Sequence, residues 1–408
     1  MTARASFDRV SWLIALMTAL LFVNYVDRGN LATVGPLLMD HLGLSNSQLG
    51  LLLSAFYFTY APAQLLAGWL CERGNVYRLL AVGVAVWSLT TAATALANGF
   101  VSLLLLRLLL GLGESVIFPG SSRLFAQLVP EERRGAANGW MAVGLTIGPA
   151  IGTFAGSLIA AQFGWQTSFL MFGTLSLLWL WPWARFASAA AAAAPASVAR
   201  PRPPPYREML RRRAAWGAFL GHFSSNYSFY FLISWLPTYL VKVRGLSIGQ
   251  MGVIGGLLFY SIAAISCVVG GWYSDRMIRR GTPVNFVRKA FVVYGQIGVG
   301  LCLMLCALAP ALTIGSLLIS AVFVGIESGP VYNIAQTLAG PRAASQWVGV
   351  QNFFGNLAGI VAPYATGLMV DRFGLYDWAF LVAGAITFAG AAAWGLLIPK
   401  VEPLVWNA

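Results

Sequence analysis

The sequence predicts an all-α integral membrane protein in which twelve membrane-spanning helices form two pseudo-symmetric six-helix bundles. Three observations predict it. The 408 residues are 58% hydrophobic and only 10% charged, with a mean hydropathy of +0.73, which leaves too little charge to coat a water-soluble globule of this length. About twelve apolar stretches reach the ~20 residues needed to cross the hydrocarbon core of a bilayer. One phrase is also written twice, as GLSNSQLG at residues 43–50 and GLSIGQMG at residues 245–252, 202 positions apart.

Other echoes extend the duplication. The same offset pairs Asn24-Tyr25 with Asn226-Tyr227, and an offset of 203 pairs Gly68-Trp69 and Arg73 with Gly271-Trp272 and Arg276. A shift of 210 lays Phe163-Gly164 over Phe373-Gly374, each closing one long apolar run before the next. Internal repeats set architecture. Two equivalent halves in an apolar chain are a plan of many secondary transporters, with the substrate site where the halves meet.

The first apolar run, 12–36, is too long and too polar near Asp27 for a cleaved signal peptide and reads as a retained helix. The runs at 48–70, 78–97, 100–127, 136–162 and 166–186 complete an N-terminal half, residues 1–186. Residues 187–213 then carry alanines, prolines and arginines that cannot continue a span, and read as a cytoplasmic linker. Its final Arg211-Arg212-Arg213 precedes a C-terminal half, 214–408, with runs at 214–241, 248–273, 288–309, 311–337, 345–370 and 377–398.

With both termini inside, the inner loops collect Arg73, Arg78, Arg133, Arg134, Arg276, Arg279, Arg280 and the linker arginines, while the outer side has only Lys242, Arg244 and Arg372. That asymmetry follows the rule that short cytoplasmic loops accumulate Lys and Arg. The net charge of +13 therefore reads as topology and attraction to anionic lipid, and argues against nucleic acid as a partner. The four cysteines, Cys71, Cys267, Cys302 and Cys306, lie in or beside apolar runs and suggest packing, not a disulfide framework. No metal-ligand pattern, phosphate-binding loop or catalytic constellation stands out, so an enzyme is the least supported class.

Function is expected in the charges that lie within apolar runs: Asp27, Arg28, Arg107, Glu114 and Glu327. Each costs roughly 2.5–3.5 kcal/mol at a bilayer centre on insertion scales, so such groups pair or line a polar cavity. Arg107 and Glu114 are seven residues apart, about two helical turns, and share a face with Gly111 between them. A carboxylate within reach of an arginine can exchange its partner for a proton or a substrate carboxylate. The bland alternative is a fixed ion pair that locks the bundle. Asp27 and Arg28 point about 100° apart on a helix and so serve different partners, with Arg28 over Asn24. They could also reach across to Arg107 and Glu114 and simply cancel.

Uncharged polar groups at helical spacing surround these positions. Tyr57, Tyr60 and Gln64 form a stripe on the second run, His222, Asn226 and Tyr230 on the seventh, Ser328, Tyr332 and Gln336 on the tenth, and Asn352 and Asn356 on the eleventh. Together they suggest one cavity for a hydroxylated anion, although any single Tyr or Asn also serves as helix-to-helix glue. Glu327 is either a further titrating group or a bundle-interior residue beside Gly325 and Gly329, and His222 reads as a hydrogen-bonded spacer.

These residues carry a resemblance over the whole chain to the major facilitator superfamily. Its loop motif after the second helix is matched by Gly68, Glu72, Arg73, Gly74 and Arg78, with Glu where Asp is usual, and echoed by Gly271, Asp275, Arg276 and Arg279. Within it the chain resembles the anion:cation symporter branch, through NYVDRGNL at 24–31, RLLLGLGESVIFPG at 107–120, PEERRGAANG at 130–139 and FFGNLAGIVAP at 353–363. The resemblance implies that Gly68, Glu72, Arg73, Arg78, Asp275 and Arg276 gate the cytoplasmic side. It further implies that Asp27 and Glu114 take protons, that Arg28 meets the substrate carboxylate, that Arg107 organises the carboxylates, and that Tyr25, Tyr57 and Asn356 contact the ligand. The fifth run departs from some sugar-acid symporters, which share a glutamine there, reading AVGLTIGPAIG with Thr146 nearby.

The expectation is thus a proton-coupled symporter importing an organic carboxylate, a hexuronate or aldonate, by alternating access. It would be a multi-pass monomer of the bacterial inner membrane, with both termini cytoplasmic and no cofactor beyond the proton gradient. An aromatic-carboxylate symporter, a proton-driven exporter and a non-transporting membrane sensor are the rivals. Buried arginines argue against the exporter.

Overall fold

The computed structural model describes residues 2–129, 131–191 and 205–406; it is almost wholly helical, with no strand among the described residues. Among the described residues, ten helices are long and apolar enough to cross a bilayer: α1 (Arg9–Leu42), α2 (Asn46–Cys71), α3 (Val76–Thr94), α4 (Phe100–Phe125) and α5 (Ala137–Phe163), then α8 (Ile248–Arg279), α9 (Val284–Leu308), α10 (Pro310–Gly340), α11 (Gln346–Phe373) and α12 (Asp377–Leu397). Between them lie α6, whose parts Trp165–Leu178 and Leu180–Ala191 meet at Trp179, and α7 (Arg213–Lys242). These two are shorter or less apolar for local reasons. Neither part of α6 is long enough alone, and α7 dilutes its hydropathy with His222, Ser224, Ser225, Asn226 and Ser228. With them the twelve helices that the sequence predicts are all present.

The described residues divide into two compact units, one drawn from Met1–Leu44, Leu51–Val198 and Pro237–Leu257 and the other from Ser45–Gly50, Ala199–Leu236 and Leu258–Ala408. The repeated phrase has one physical meaning in both places. Its first glycine takes a left-handed backbone, φ +63° at Gly43 and +69° at Gly245, which a residue with a Cβ rarely adopts. Its serine caps the next helix: Gln48 N donates to Ser45 Oγ at 3.2 Å while Ser45 N donates to Gln48 Oε1 at 2.9 Å, and Ser247 with Gln250 repeats both bonds. This is a capping box with Gln at its third helical position. Its last glycine permits a close approach, since a Cβ on Gly50 would stand 2.5 Å from the Pro363 carbonyl oxygen and one on Gly252 1.8 Å from Ser157 Oγ.

α3 starts on a different cap, with Asn75 Oδ1 accepting from Tyr77 N at 3.0 Å and Arg78 N at 3.1 Å. Asn75→Ala should therefore lower the stability of the protein in detergent by about 1 kcal/mol, measurable as a shift in thermal midpoint. An unchanged midpoint would show that other contacts satisfy those two N–H groups.

In the first unit glycines decide which helices can carry the site. Gly144, Gly148 and Gly152 recur every fourth residue along one face of α5 and lie on the α1 backbone. Cβ atoms there would come within 2.6 Å of the Thr18 carbonyl, 2.8 Å of Phe22 and 2.5 Å of Val26. The string AVGLTIGPAIG thus serves as a seam of small residues, the device by which membrane helices approach without a hydrophobic driving force. It seats the part of α1 that bears Tyr25, Asp27 and Arg28.

The second unit is built around a buried aromatic core in which Phe219, Trp347 and Trp394 pack with Val331, Ile334 and Leu338. Phe219 stacks on Phe354 with centroids 5.1 Å apart. Past α12 the chain is tied back: Lys289 Nζ donates to the Gly395 and Ile398 carbonyls at 2.9 and 2.7 Å, and Trp406 Nε1 donates to the Ala339 carbonyl at 2.7 Å. A lysine on the last carbonyls of a helix complements its dipole. None of the four cysteines is in a disulfide, and Cys71, Cys302 and Cys306 are buried.

Candidate functional site

The buried charges of the first unit come from α1 and α4 and meet against the aromatic side chains of α2. Arg28 Nε donates to Glu114 Oε2 at 3.0 Å, with side-chain exposures of 7% and 0%. The guanidinium is enclosed by aromatic faces, its carbon 4.7 Å from the Tyr25 ring centroid, 5.1 Å from Phe56 and 4.5 Å from Tyr60. Such faces favour a cation once it has left water. Nη1 reaches the Tyr25 hydroxyl at 3.4 Å, whereas Nη2 and Glu114 Oε1 are buried without a hydrogen-bond partner. Nε and Nη2 share one edge of the guanidinium, the edge that pairs with a carboxylate in two-point fashion.

Glu114 therefore pairs with α1 and not with Arg107 of its own helix, so the fixed Arg107–Glu114 bridge considered for the sequence does not form. Arg107 is buried, donates from Nε to the Leu52 carbonyl at 3.3 Å, and has its guanidinium carbon 5.4 Å from the Phe56 centroid. Phe56 thus stands against both arginines. Gly111 lets α4 close on α2, where Thr59 Oγ1 donates to the Leu108 carbonyl at 2.7 Å. Tyr57 and Tyr60 are buried on that same stretch of α2, their rings 6.3 Å apart and edge to face, and Gln64 is half-buried further along.

Asp27, one residue from Arg28, turns to another partner, as its 100° offset predicts. Its Oδ2 lies 3.2 Å from Ser176 Oγ on α6, and that hydroxyl is also 2.8 Å from the Phe172 carbonyl. Trp87 faces Asp27 and Asn24 faces Glu114, while Asp27 Oδ1, the Asn24 amide and Trp87 Nε1 make no hydrogen bond of full geometry. Two carboxylates with unlike surroundings therefore stand in one unit, Glu114 held by an arginine and Asp27 by a hydroxyl.

The second unit holds a separate set of polar groups. Tyr230 donates to Asn356 Oδ1 at 2.7 Å, bringing together two residues singled out on α7 and α11. Trp347 Nε1 donates to Gln351 Oε1 at 2.9 Å, and Gln351 Nε2 lies 3.0 Å from His222 Nδ1. An indole N–H can only donate, so it fixes the amide orientation, and the amide then donates to Nδ1. His222 is thereby held as a neutral imidazole with its proton on Nε2, a spacer as the sequence suggests. Its ring meets Tyr332 edge to face at 5.6 Å.

Asn226 is half-buried beside Gly355, where a Cβ would come 2.7 Å from Asn226 Nδ2, and Asn352 is half-buried. Ser328, Tyr332 and Gln336 present an exposed face of α10. Of the residues expected to gate, Gly68 has open space around it, Arg78, Asp275 and Arg276 are exposed, and Arg276 lies over the Trp272 ring at 5.1 Å. The side chains of Glu72, Arg73 and Arg134 lie outside the described residues.

Sequence reasoning passed over Phe56, Trp87, Ser176, Trp347 and Gln351. Phe56 lies four residues before Tyr60, the helical spacing already used for that stripe, and could have been found. The others come from elements with no intramembrane charge to draw attention to them.

The chain is 31% identical over 396 residues to the hexuronate transporter of Bacillus subtilis, covering 94% of this chain and 92% of that protein. It is 24% identical over 402 residues to the D-galactonate transporter of Escherichia coli O6:H1, covering 93% of each. In fold it resembles the crystal structure of a bacterial homologue of the human lysosomal transporter Spinster, inward-facing and occupied, with a TM-score of 0.80, 20% identity and coverage of 95% and 96% of the two chains. Residues 17–363 match the Major Facilitator Superfamily, and with this fold and this extent of likeness the chain belongs to that superfamily.

Proposed function

We propose that the protein is a proton-coupled symporter that imports an organic carboxylate, most simply a sugar acid such as a hexuronate or aldonate, by alternating access. The observation that carries the reading is the Arg28–Glu114 pair. A buried guanidinium whose two-point edge is half occupied by an exchangeable carboxylate is a site at which protonation and anion binding are linked. When Glu114 takes a proton it releases Nε, and Nε with Nη2 then offers a fork to a substrate carboxylate. When the proton leaves, Glu114 reclaims the arginine and expels the anion.

Asp27 supports a second exchangeable proton. Ser176 has a single hydroxyl hydrogen and two acceptors within reach, Asp27 Oδ2 and the Phe172 carbonyl. An ionised Asp27 takes that hydrogen, and a protonated one donates to Ser176 Oγ, so both states keep a partner. The named transporters of hexuronate and D-galactonate support the substrate class, and Tyr25, Tyr57, Tyr60, Gln64, Asn226, Tyr230, Tyr332, Asn352 and Asn356 supply hydroxyl-binding groups. The halves 1–186 and 214–408, joined by 187–213, are the moving bodies of the cycle, with Gly68, Glu72, Arg73, Arg78, Asp275 and Arg276 as cytoplasmic gating residues. The protein acts as a monomer in the bacterial inner membrane with both termini cytoplasmic, and needs no cofactor besides the proton gradient.

The test is uptake by the purified protein in liposomes, over a panel of sugar acids and aromatic acids, with and without an inward proton gradient. Uptake of a sugar acid that requires the gradient, and that Glu114→Gln abolishes while leaving gradient-free exchange, is the expected result. Gradient-independent uptake, or no uptake of any organic anion, would refute the reading.

A further inference from the structure

A third intramembrane carboxylate belongs to the second unit. Glu327 on α10 is 5% exposed, and its Oε2 is buried without a hydrogen-bond partner. α9 closes over it, because Gly295 has no side chain: a Cβ there would come 2.8 Å from Glu327 Cβ. The next residue, Gln296, spends its amide hydrogens on α7, donating from Nε2 to Ser225 Oγ at 2.5 Å and to the Gly221 carbonyl at 3.0 Å. Its Oε1 is left buried and unpartnered. The Ser225 hydroxyl, which faces Glu327, also lies 3.3 Å from the Gly221 carbonyl.

The surroundings of Glu327 are thus rich in acceptors and short of donors. No cation among the described residues lies within ion-pair distance of it. The titratable groups on the elements packed nearby include His222 on α7, whose Nδ1 is held by Gln351, and Cys267 on α8, whose backbone N lies 2.9 Å from where a Gly325 Cβ would be; on α9, Arg288 bonds the Thr337 hydroxyl and Lys289 the Gly395 and Ile398 carbonyls, while Tyr294 on α9 and Tyr332 on α10 are exposed. An ionised carboxylate in such a place is costly. A carboxylic acid is not, since its O–H supplies the donor the cluster lacks.

We propose that Glu327, with Ser225 and Gln296, forms a second proton-binding site, built within the second unit and separate from Asp27 and Glu114, whose proton is exchanged through Ser225 during transport. The proposal rests on the proton-coupled reading above. It assigns to α10 a share of the coupling for which the first unit alone would otherwise account.

The experiment measures the limiting substrate accumulation ratio in proteoliposomes at a fixed pH gradient and zero membrane potential, for wild type and Glu327→Gln, in sodium and in choline media. If one coupled proton is lost, Glu327→Gln still concentrates substrate, but its ratio falls about tenfold per pH unit of gradient, 1.4 kcal/mol per tenfold. An unchanged ratio would overturn the proposal, and so would a wild-type ratio that depends on sodium and loses that dependence in the variant. Failure of wild type to use a proton gradient at all would instead remove the underlying reading. Should Glu327→Gln not fold, wild type treated with a hydrophobic carbodiimide, which modifies protonated carboxyls in apolar surroundings, gives an independent answer by mass spectrometry. Modification of Glu327 that declines as pH rises is expected, and a Glu327 unmodified at every pH overturns the site.

Discussion

Arg28→Lys is expected to weaken binding of the transported anion by at least about 100-fold while leaving a positive charge in place. The guanidinium does three things at once that an ammonium cannot. It bonds Glu114 through Nε, keeps Nη2 on the same edge for a substrate oxygen, and lies flat against Tyr25, Phe56 and Tyr60. Removing one partner of a buried pair typically costs 3–5 kcal/mol, or about 10²–10⁴ in an equilibrium constant, and lysine retains only part of that through its point charge. Substrate-induced thermal stabilisation of the detergent-solubilised protein reads the affinity without requiring flux. Lysine binding as well as arginine would mean that the fork geometry plays no part, and the mechanism built on Glu114 handing over Nε would fall with it.

The second large effect is on stability and lies at the centre of the same site. Gly111 sits between Arg107 and Glu114, and a Cβ there would stand 2.3 Å from both the Phe56 carbonyl oxygen and Thr59 Oγ1. The obstacle is mostly backbone, so the only relief is to move α4 away from α2, which stretches the Thr59 bond to Leu108 and shifts Phe56 beneath both arginines. Gly111→Ala should destabilise the fold by about 1–3 kcal/mol, the usual cost of overpacking. Gly349 is the control, a helical glycine with nothing within 4 Å of its would-be Cβ. There alanine should be neutral or stabilising by up to about 1 kcal/mol through helix propensity. Opposite signs in thermal unfolding are the expected outcome; equal effects at the two positions would show that the α2–α4 contact relaxes freely.

Much of this protein was legible in one dimension. Composition and run length fixed a helical membrane protein because the bilayer accepts few backbone arrangements and each needs about 20 apolar residues per helix. The duplicated phrase announced its own physics, a left-handed glycine, a serine cap with its glutamine, and a glycine for close approach, because all three are local demands on the backbone. Asp27, Arg28, Arg107 and Glu114 were conspicuous because a charge within an apolar run is costly wherever the chain folds.

Partnership was the part that only tertiary structure decided. The sequence left Glu114 either Arg107 of its own helix or Arg28 of the first, and it pairs with Arg28, because the glycine seam of α5 and the contact at Gly111 bring α1 and α4 to the same stretch of α2. Ser176 and Trp87 near Asp27, and Gln351 locking His222, are likewise invisible to periodicity, since a neutral polar residue carries no signature of which helix it will face. Sequence determines which groups must find a partner in the membrane. The packing of small residues determines which partner each one meets.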